Sequence, residues 1–490
     1  MSEVRRVAAI AAFLALLFIY LSGISSMGLI GPDEPRYASI GREMARSGDW
    51  ITPTLWGAPW FEKPPLLYWM IAASFRLGVP QDWAPRLPVA LFSVAFLVAF
   101  FFLLRREFGG AVAALATGIL STSALWMGFS HAAATDLPMA ATFSLAVLLL
   151  SLDLDGGPKT LYRVLAGALL GLSVLAKAFV PLVLVVPYLW FTRARWRSWF
   201  HPAGWIAFGI VAVPWFALVT LRHGGAFWNV FLFEHQLGRF ASSALQHVQP
   251  FWFYVPVVLV AMLPWTLFVP FAVSRGLYQD RRLRFLGAVF VFGFIFFSAS
   301  RNKLPGYVLP LLPPLAILIA AGMDRARASS KKALTTVAAA STLLLPLFVI
   351  AAGILPRAFS GSDALFPIDL LTASRVGAVV PLIVIAGAAM FFFDRARALA
   401  LLFTLVVCGW VYLEWTALPW LDHAASARAF WGGVPEPKGR TCVSGELHRN
   451  WRYGLNYYAE RGLPECGEGN WANRIVPGPG GSGPVIQRED

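Results

Sequence analysis

The sequence predicts an all-α polytopic membrane protein with about thirteen transmembrane helices and a small C-terminal α/β domain outside the membrane. Two observations lead there. Of 490 residues, 58% are hydrophobic and only 13% charged, with a mean hydropathy of +0.64; soluble domains carry roughly 25% charged residues. Apolar runs long enough to cross a bilayer recur along the chain, where a β-barrel would show short alternating segments.

Taken in order, the candidate spans are roughly 7–29, 86–104, 111–130, 137–152, 163–176, 179–192, 203–221, 252–273, 285–299, 306–322, 333–352, 376–393 and 398–417. The N-terminal run is longer than the apolar core of a signal peptide and is read as an uncleaved first span. The pair 163–176 and 179–192 is short and split by Lys177 and Pro181. The formal charge of +14 falls in short loops, for example Arg105-Arg106, Arg281-Arg282 and Arg395 with Arg397. Thirteen spans place these loops on one side, which the positive-inside rule makes cytoplasmic. The basic balance therefore reflects topology, and no motif supports nucleic-acid binding.

The opposite, periplasmic side receives the loop 30–85, the turn at His131–Asp136, the loops near 222–251 and 300–305, and the tail. Residues 1–419 form the transmembrane domain and 420–490 the small tail domain. In the first loop, "PRYASIGREMARSGDW" has helical spacing. "PPLLYWMIAASFRLG" is too short to span and reads as an interfacial helix with Tyr68 and Trp69 at headgroup level. "WRYGLNYYAERG" suits one helix or strand, and the Gly/Pro-rich end from 476 reads as disordered. Cys442 and Cys466 both lie in the tail, where an oxidising compartment permits a disulfide worth about 3 kcal/mol; two free thiols is the alternative.

Ionisable groups beside a bilayer are functional candidates because each must be paired or watered. Asp33 and Glu34 follow the first span, and Asp136 opens the fourth. Glu62 and Lys63, Lys177, Glu234 with His235, and Lys303 project to the same side. Two carboxylates, Asp33 and Asp136, suit a general base and its electrostatic partner on an acceptor hydroxyl. Arg36, Lys63, Lys177 and Lys303 suit a phosphate leaving group. His235 with Glu62 or Glu234 suits a divalent metal, although no H-E-x-x-H motif is present. Taken alone, Asp136 ahead of Pro138 is equally a helix cap.

The stretches "DEPRYASIGREMARSGDWITPTLWGAPWFEKPPLLYW", "TDLPMA", "LAKAFVPLVL", "FEHQLGRF", "HVQPFWFYVPVVLVAMLPW" and "SRNKLPGYVLPLLPPLAIL" resemble the GT-C glycosyltransferases of the aminoarabinose transferase and protein O-mannosyltransferase group. The resemblance is closest to the bacterial lipid A aminoarabinose transferase type and runs in family order over about 30–320. It implies a GT-C fold in the bacterial inner membrane and transfer, with inversion, from an undecaprenyl-phosphate type of sugar donor to a lipid or glycan acceptor. Under it Asp33 and Asp136 take the paired acidic positions, and Arg36, Lys63 and Lys303 contact the donor phosphate. Lys177 lies near the lipid carrier, and Glu34, Tyr37 and Tyr307 line the site. Glu62 and His235 match metal-binding positions, for zinc, magnesium or manganese. The chain departs from the family at Ala178 and Phe179, where Gly-Pro often follows the lysine, and at Gly306, where Thr or Ser is usual. A protein O-mannosyltransferase is the alternative enzyme. A lipid or sugar transporter is the alternative class, but transporters place polar groups near the midplane of repeated halves, and no internal repeat is found.

A reporter fused after residue 430 is expected to show periplasmic activity. A cytoplasmic signal would overturn the topology.

Overall fold

A computed structural model describes residues 3–154, 160–194, 196, 202–237, 248–274, 276–329, 331–359, 370–467, 469–478 and 483–488. Among them, eight helices are long and apolar enough to cross a membrane. Two bent pairs, Gly110–Ser121 with Ala124–Ser130 and Phe251–Ala261 with Trp265–Val273, pass the same test together. Two shorter apolar helices, Asp136–Leu152 and Val180–Phe191, and the N-terminal helix α1 (Glu3–Leu21) complete the set. Every apolar run of the sequence thus becomes a helix or a bent pair, because hydrocarbon forces backbone groups to bond within the segment. The run 252–273 is not the single straight span expected. It turns through 114° at Leu263-Pro264, where proline lacks the N–H that would continue the helix.

The first loop is built, not loose. Helix α2 (Asp33–Ser47) has acidic residues in its first turn and Arg46 in its last, matching the helix dipole. It ends at Gly48, whose φ of 74° is the left-handed cap that glycine adopts freely. Helix α3 (Leu66–Arg76) packs on α2, with the Tyr37 and Tyr68 rings 5.8 Å apart. Tyr68 is fully buried, so it does not stand at headgroup level as expected; only Trp69 faces outward, its indole N–H donating to the Trp50 carbonyl. The Tyr68 ring belongs to the main core, with Tyr37, Ile40 and Ile71. Helix α4 (Leu87–Phe108) follows, then α5 (Gly110–Ser121), α6 (Ala124–Ser130), α7 (Asp136–Leu152) and α8 (Thr160–Lys177). Nearly every side chain of α7 is buried, as befits a helix apolar all round.

The tail is a compact α/β unit. Strands β1 (Thr441–Val443) and β2 (Asn473–Pro477) pair in parallel, and β2 pairs antiparallel with β3 (Pro484–Arg488). The segment "WRYGLNYY" lies in the helix Arg449–Tyr458, and Cys442 is bonded to Cys466. The expectation of a disordered end from 476 fails at Val476, Pro477 and β3, where Val476 pairs with Val485 and Pro477 with Pro484 in a ladder that composition does not reveal. The tail docks on the first loop. Arg42 donates to the Tyr457 carbonyl at 2.8 Å, the Tyr458 hydroxyl accepts from Leu29 N–H at 2.9 Å, and Tyr457 donates to the Gln81 carbonyl at 2.7 Å.

At the centre of this junction stands Arg86, 1% exposed. Its Nε and Nη2 donate to the two Glu34 oxygens at 2.8 and 2.6 Å, and its remaining donors reach the carbonyls of Ile24, Met27 and Gly28. Glu34 also accepts from the backbone N–H of Ile30 and of Ala133. Removing one member strands a buried charge. Arg86→Ala is therefore expected to cost about 3–5 kcal/mol, read as a lowered melting temperature in detergent. A Glu34→Gln/Arg86→Met double variant should recover part of that loss.

Candidate active site

Two charge clusters flank the Arg86–Glu34 pair. The first is built on the opening turn of α2 and the 60–63 segment. Arg36 reaches back one turn to the Asp33 carboxylate at 2.5 Å and across to Glu62 at 3.2 Å. Glu62 also pairs with Lys63 at 3.4 Å, and both are buried. Three rings surround the Arg36 guanidinium, Tyr37 at 5.2 Å, Trp60 at 5.4 Å and Tyr453 of the tail at 5.7 Å, the flat stacking that guanidinium favours. Burial alone would lower the Arg36 pKa, but Tyr37, Glu62 and Asp33 outweigh it and hold it above the usual arginine value. Burial, reinforced by Asp33, raises the Tyr37 phenol well above its ordinary range, so it keeps its proton. Asp33 itself is open: its side chain is 55% exposed, and its Oδ2 has no partner among the described residues.

The second cluster lies where α7 begins and α8 ends. Thr135 precedes the first helical residue, Asp136, so Asp136 is not the cap. Its Oδ1 pairs instead with Lys177 at 2.5 Å, and the Lys177 ammonium sits 4.7 Å from the Tyr307 ring centroid. Gly306 makes this approach feasible: a Cβ there would come within 2.9 Å of Asp136 Oδ1 and 2.5 Å of Phe129. Lys303, four residues before Tyr307, is buried and donates to the carbonyls of Gln249 and Ser300. Burial lowers its pKa.

The sequence-predicted residues are thus divided. Asp33, Arg36, Tyr37, Glu62 and Lys63 meet in one cluster, and Asp136, Lys177 and Tyr307 in the other. Glu34 joins them through Ala133 N–H, three residues before Asp136. This corrects the reading of Glu34 as a substrate-lining residue: both of its oxygens are engaged by Arg86. Glu234 is exposed, and the His235 side chain lies outside the described residues. Among the described residues no three His, Cys, Asp or Glu side chains come together as a metal site, and Glu62 already faces two cations.

Sequence reasoning missed Arg86, Trp60 and Tyr453. An arginine one residue before a long apolar run was a usable signal for Arg86. Nothing local marked Tyr453, which lies more than four hundred residues from Arg36 in sequence. Glu414, in the long helix Arg395–Ala425, accepts from Ser22 and lies 3.6 Å from His131 Nε2.

Comparison with known proteins agrees with this architecture. A family model described as dolichyl-phosphate-mannose-protein mannosyltransferase matches residues 62–220. The chain is 32% identical over 318 residues to the undecaprenyl phosphate-alpha-4-amino-4-deoxy-L-arabinose arabinosyl transferase of Pseudomonas aeruginosa, covering 62% of this chain and 58% of the relative. To the protein of the same name from Edwardsiella ictaluri it is 33% identical over 337 residues, covering 66% of this chain and 60% of the relative. The matched region thus spans about three fifths of these relatives' length. The crystal structure of ArnT from Cupriavidus metallidurans bound to undecaprenyl phosphate superposes with a TM-score of 0.71 at 23% identity, over 94% of this chain and 86% of that one. The chain thus shares the fold of that arabinosyl transferase structure along nearly its whole length, and its sequence is similar to the arabinosyl transferases over about three fifths of theirs.

Proposed function

We propose that the protein is an integral membrane glycosyltransferase of the bacterial inner membrane. It takes a sugar from a polyprenyl-phosphate donor of the undecaprenyl type and gives it to a lipid or glycan acceptor, lipid A among them, at the periplasmic face. The observation that carries this reading is Asp33, a half-open carboxylate at the rim of an otherwise buried and charge-matched cluster. The names of the matched relatives support the donor class.

In this mechanism the free oxygen of Asp33 takes the proton of the acceptor hydroxyl. The acceptor oxygen attacks the anomeric carbon from the face opposite the phosphate. The bond from that carbon to the phosphate oxygen breaks, and polyprenyl phosphate leaves as the anion, inverting the centre. Arg36 holds Asp33 in place, and Asp136 holds Lys177 against Tyr307. Lys303 is the cation best able to meet the leaving phosphate, because its partners are carbonyls and no carboxylate is left unpaired when it turns. Two residues from it, Pro305 closes an apolar groove of about 320 Å³ formed with Ala124, Val257 and Val260, which suits a polyprenyl chain. The family model's description favours a second reading, the same donor with a protein hydroxyl as acceptor.

The test is transfer by purified protein from undecaprenyl-phosphate sugars to lipid A or to peptides, with products identified by mass spectrometry. Asp33→Asn is expected to lower kcat by about 10²–10⁴ with donor KM little changed. Full activity in that variant would remove the base assignment. Lys303→Ala should cost roughly 10²–10³ in kcat/KM. Glycosylated peptide with unmodified lipid would select the second reading. Assays with and without EDTA test the divalent ion expected at Glu62 and His235. Vectorial lipid movement in vesicles, with no turnover of any donor, would replace the enzyme by a transporter.

A further inference from the structure

The opening turn of α2 carries Asp33 and Arg36; its last turns open on a second cavity. Arg42, Arg46, Phe75, Arg76, Gln81 and Glu460 line a space of about 310 Å³ where α2, the end of α3 and the tail meet. Arg42 stands nine residues after Asp33, roughly 14 Å along the helix. The cavity is therefore separate from the candidate active site, though borne on the same rigid element.

Its charges do not balance among the described residues. Three guanidinium groups face one carboxylate, Glu460, which Arg46 engages. Arg42 is only 6% exposed. It stacks 4.4 Å from the Tyr457 ring centroid and gives Nη2 to the Tyr457 carbonyl, yet its Nη1 has no hydrogen-bond partner among the described residues. A buried donor left unpaired costs more than one exposed to water. Burial also lowers the Arg42 pKa, a shift that Tyr457, Glu460 and Glu43 oppose but do not cancel. Arg76 is exposed and makes no side-chain hydrogen bond or ion pair among the described residues, and its Nη2 lies 3.2 Å from where a Gly48 Cβ would stand. Compensation of helix dipoles accounts for Arg46 and Arg76, which end α2 and α3. It does not account for Arg42, which lies more than a turn inside α2.

We infer that this cavity binds a phosphate-bearing anion. Arginine forks match phosphate oxygens in pairs, and Arg42, Arg46 and Arg76 supply them from two helices. The surroundings favour an anionic phospholipid headgroup as the source. Leu77, directly after Arg76, is 83% exposed, and Phe75 and Val79 line the cavity itself, so apolar side chains border the cationic pocket. That pairing of apolar body and cationic rim suits a lipid–water interface.

The test uses the full-length protein and Arg76→Gln, an exposed change outside the candidate active site. Each is purified from membranes, exchanged into nanodiscs of phosphatidylglycerol with phosphatidylcholine or of phosphatidylcholine alone, and examined for retained lipid by native mass spectrometry. Melting is then followed in detergent with and without millimolar inorganic phosphate. Retained phosphatidylglycerol is expected to fall roughly tenfold in the variant, the worth of one charge-assisted contact. A phosphate-dependent rise in melting temperature that the variant lacks, with equal lipid retention, would support the site and make free phosphate its ligand. Equal lipid retention together with equal phosphate response would overturn the inference. Arg42→Lys, which keeps the charge but not the fork, repeats the test at the buried position.

Discussion

The buried pair of Arg86 and Glu34 is the constraint on which the junction of the first loop, the tail and the helix ends depends. Desolvating two charges is costly, and the attraction between them offsets that cost only when every donor and lone pair is used. Here they are. Arg86 divides its donors between both Glu34 oxygens and three carbonyls of the 24–28 segment, and Glu34 accepts two further backbone N–H groups. One pair thus joins the exit from α1, the start of α2, the start of α4 and the turn before α7. A geometry that satisfied fewer of these groups would leave a charge stranded, so the pair selects one arrangement of four chain segments.

Both charge clusters inherit their positions from it. Asp33 and Arg36 flank Glu34 on the first turn of α2, and Asp136 follows Ala133 after a short turn. The clusters differ in a way that matters for chemistry. Asp136 is matched by one close lysine under an aromatic ring, a closed arrangement. Asp33 shares its arginine with Glu62 and keeps one oxygen open to an incoming group. The tail is part of the same construction: Tyr453 closes the aromatic surround of Arg36, and Tyr457 and Tyr458 fasten α2 and the residues around it. A domain that looks like an appendage in the sequence is a wall of the candidate site.

The sequence by itself determined the helices, the clustering of basic residues in short loops and the set of charged residues worth attention. Those features are local: a bilayer demands apolar runs of a set length, and backbone groups inside it must bond within their own segment. Asp33, Arg36, Glu62 and Lys63 were legible for the same reason, as charges placed beside hydrocarbon. The division of labour between Asp33 and Glu34 was not. The two are adjacent acids on one turn, and only Arg86, 52 residues further on, turns one into a fastening and leaves the other open. The bend at Leu263-Pro264, the burial of Tyr68 and the strands beyond Asn473 were likewise decided by tertiary contacts. Their partners are distant in sequence, so no pattern of spacing or composition near these residues could reveal them.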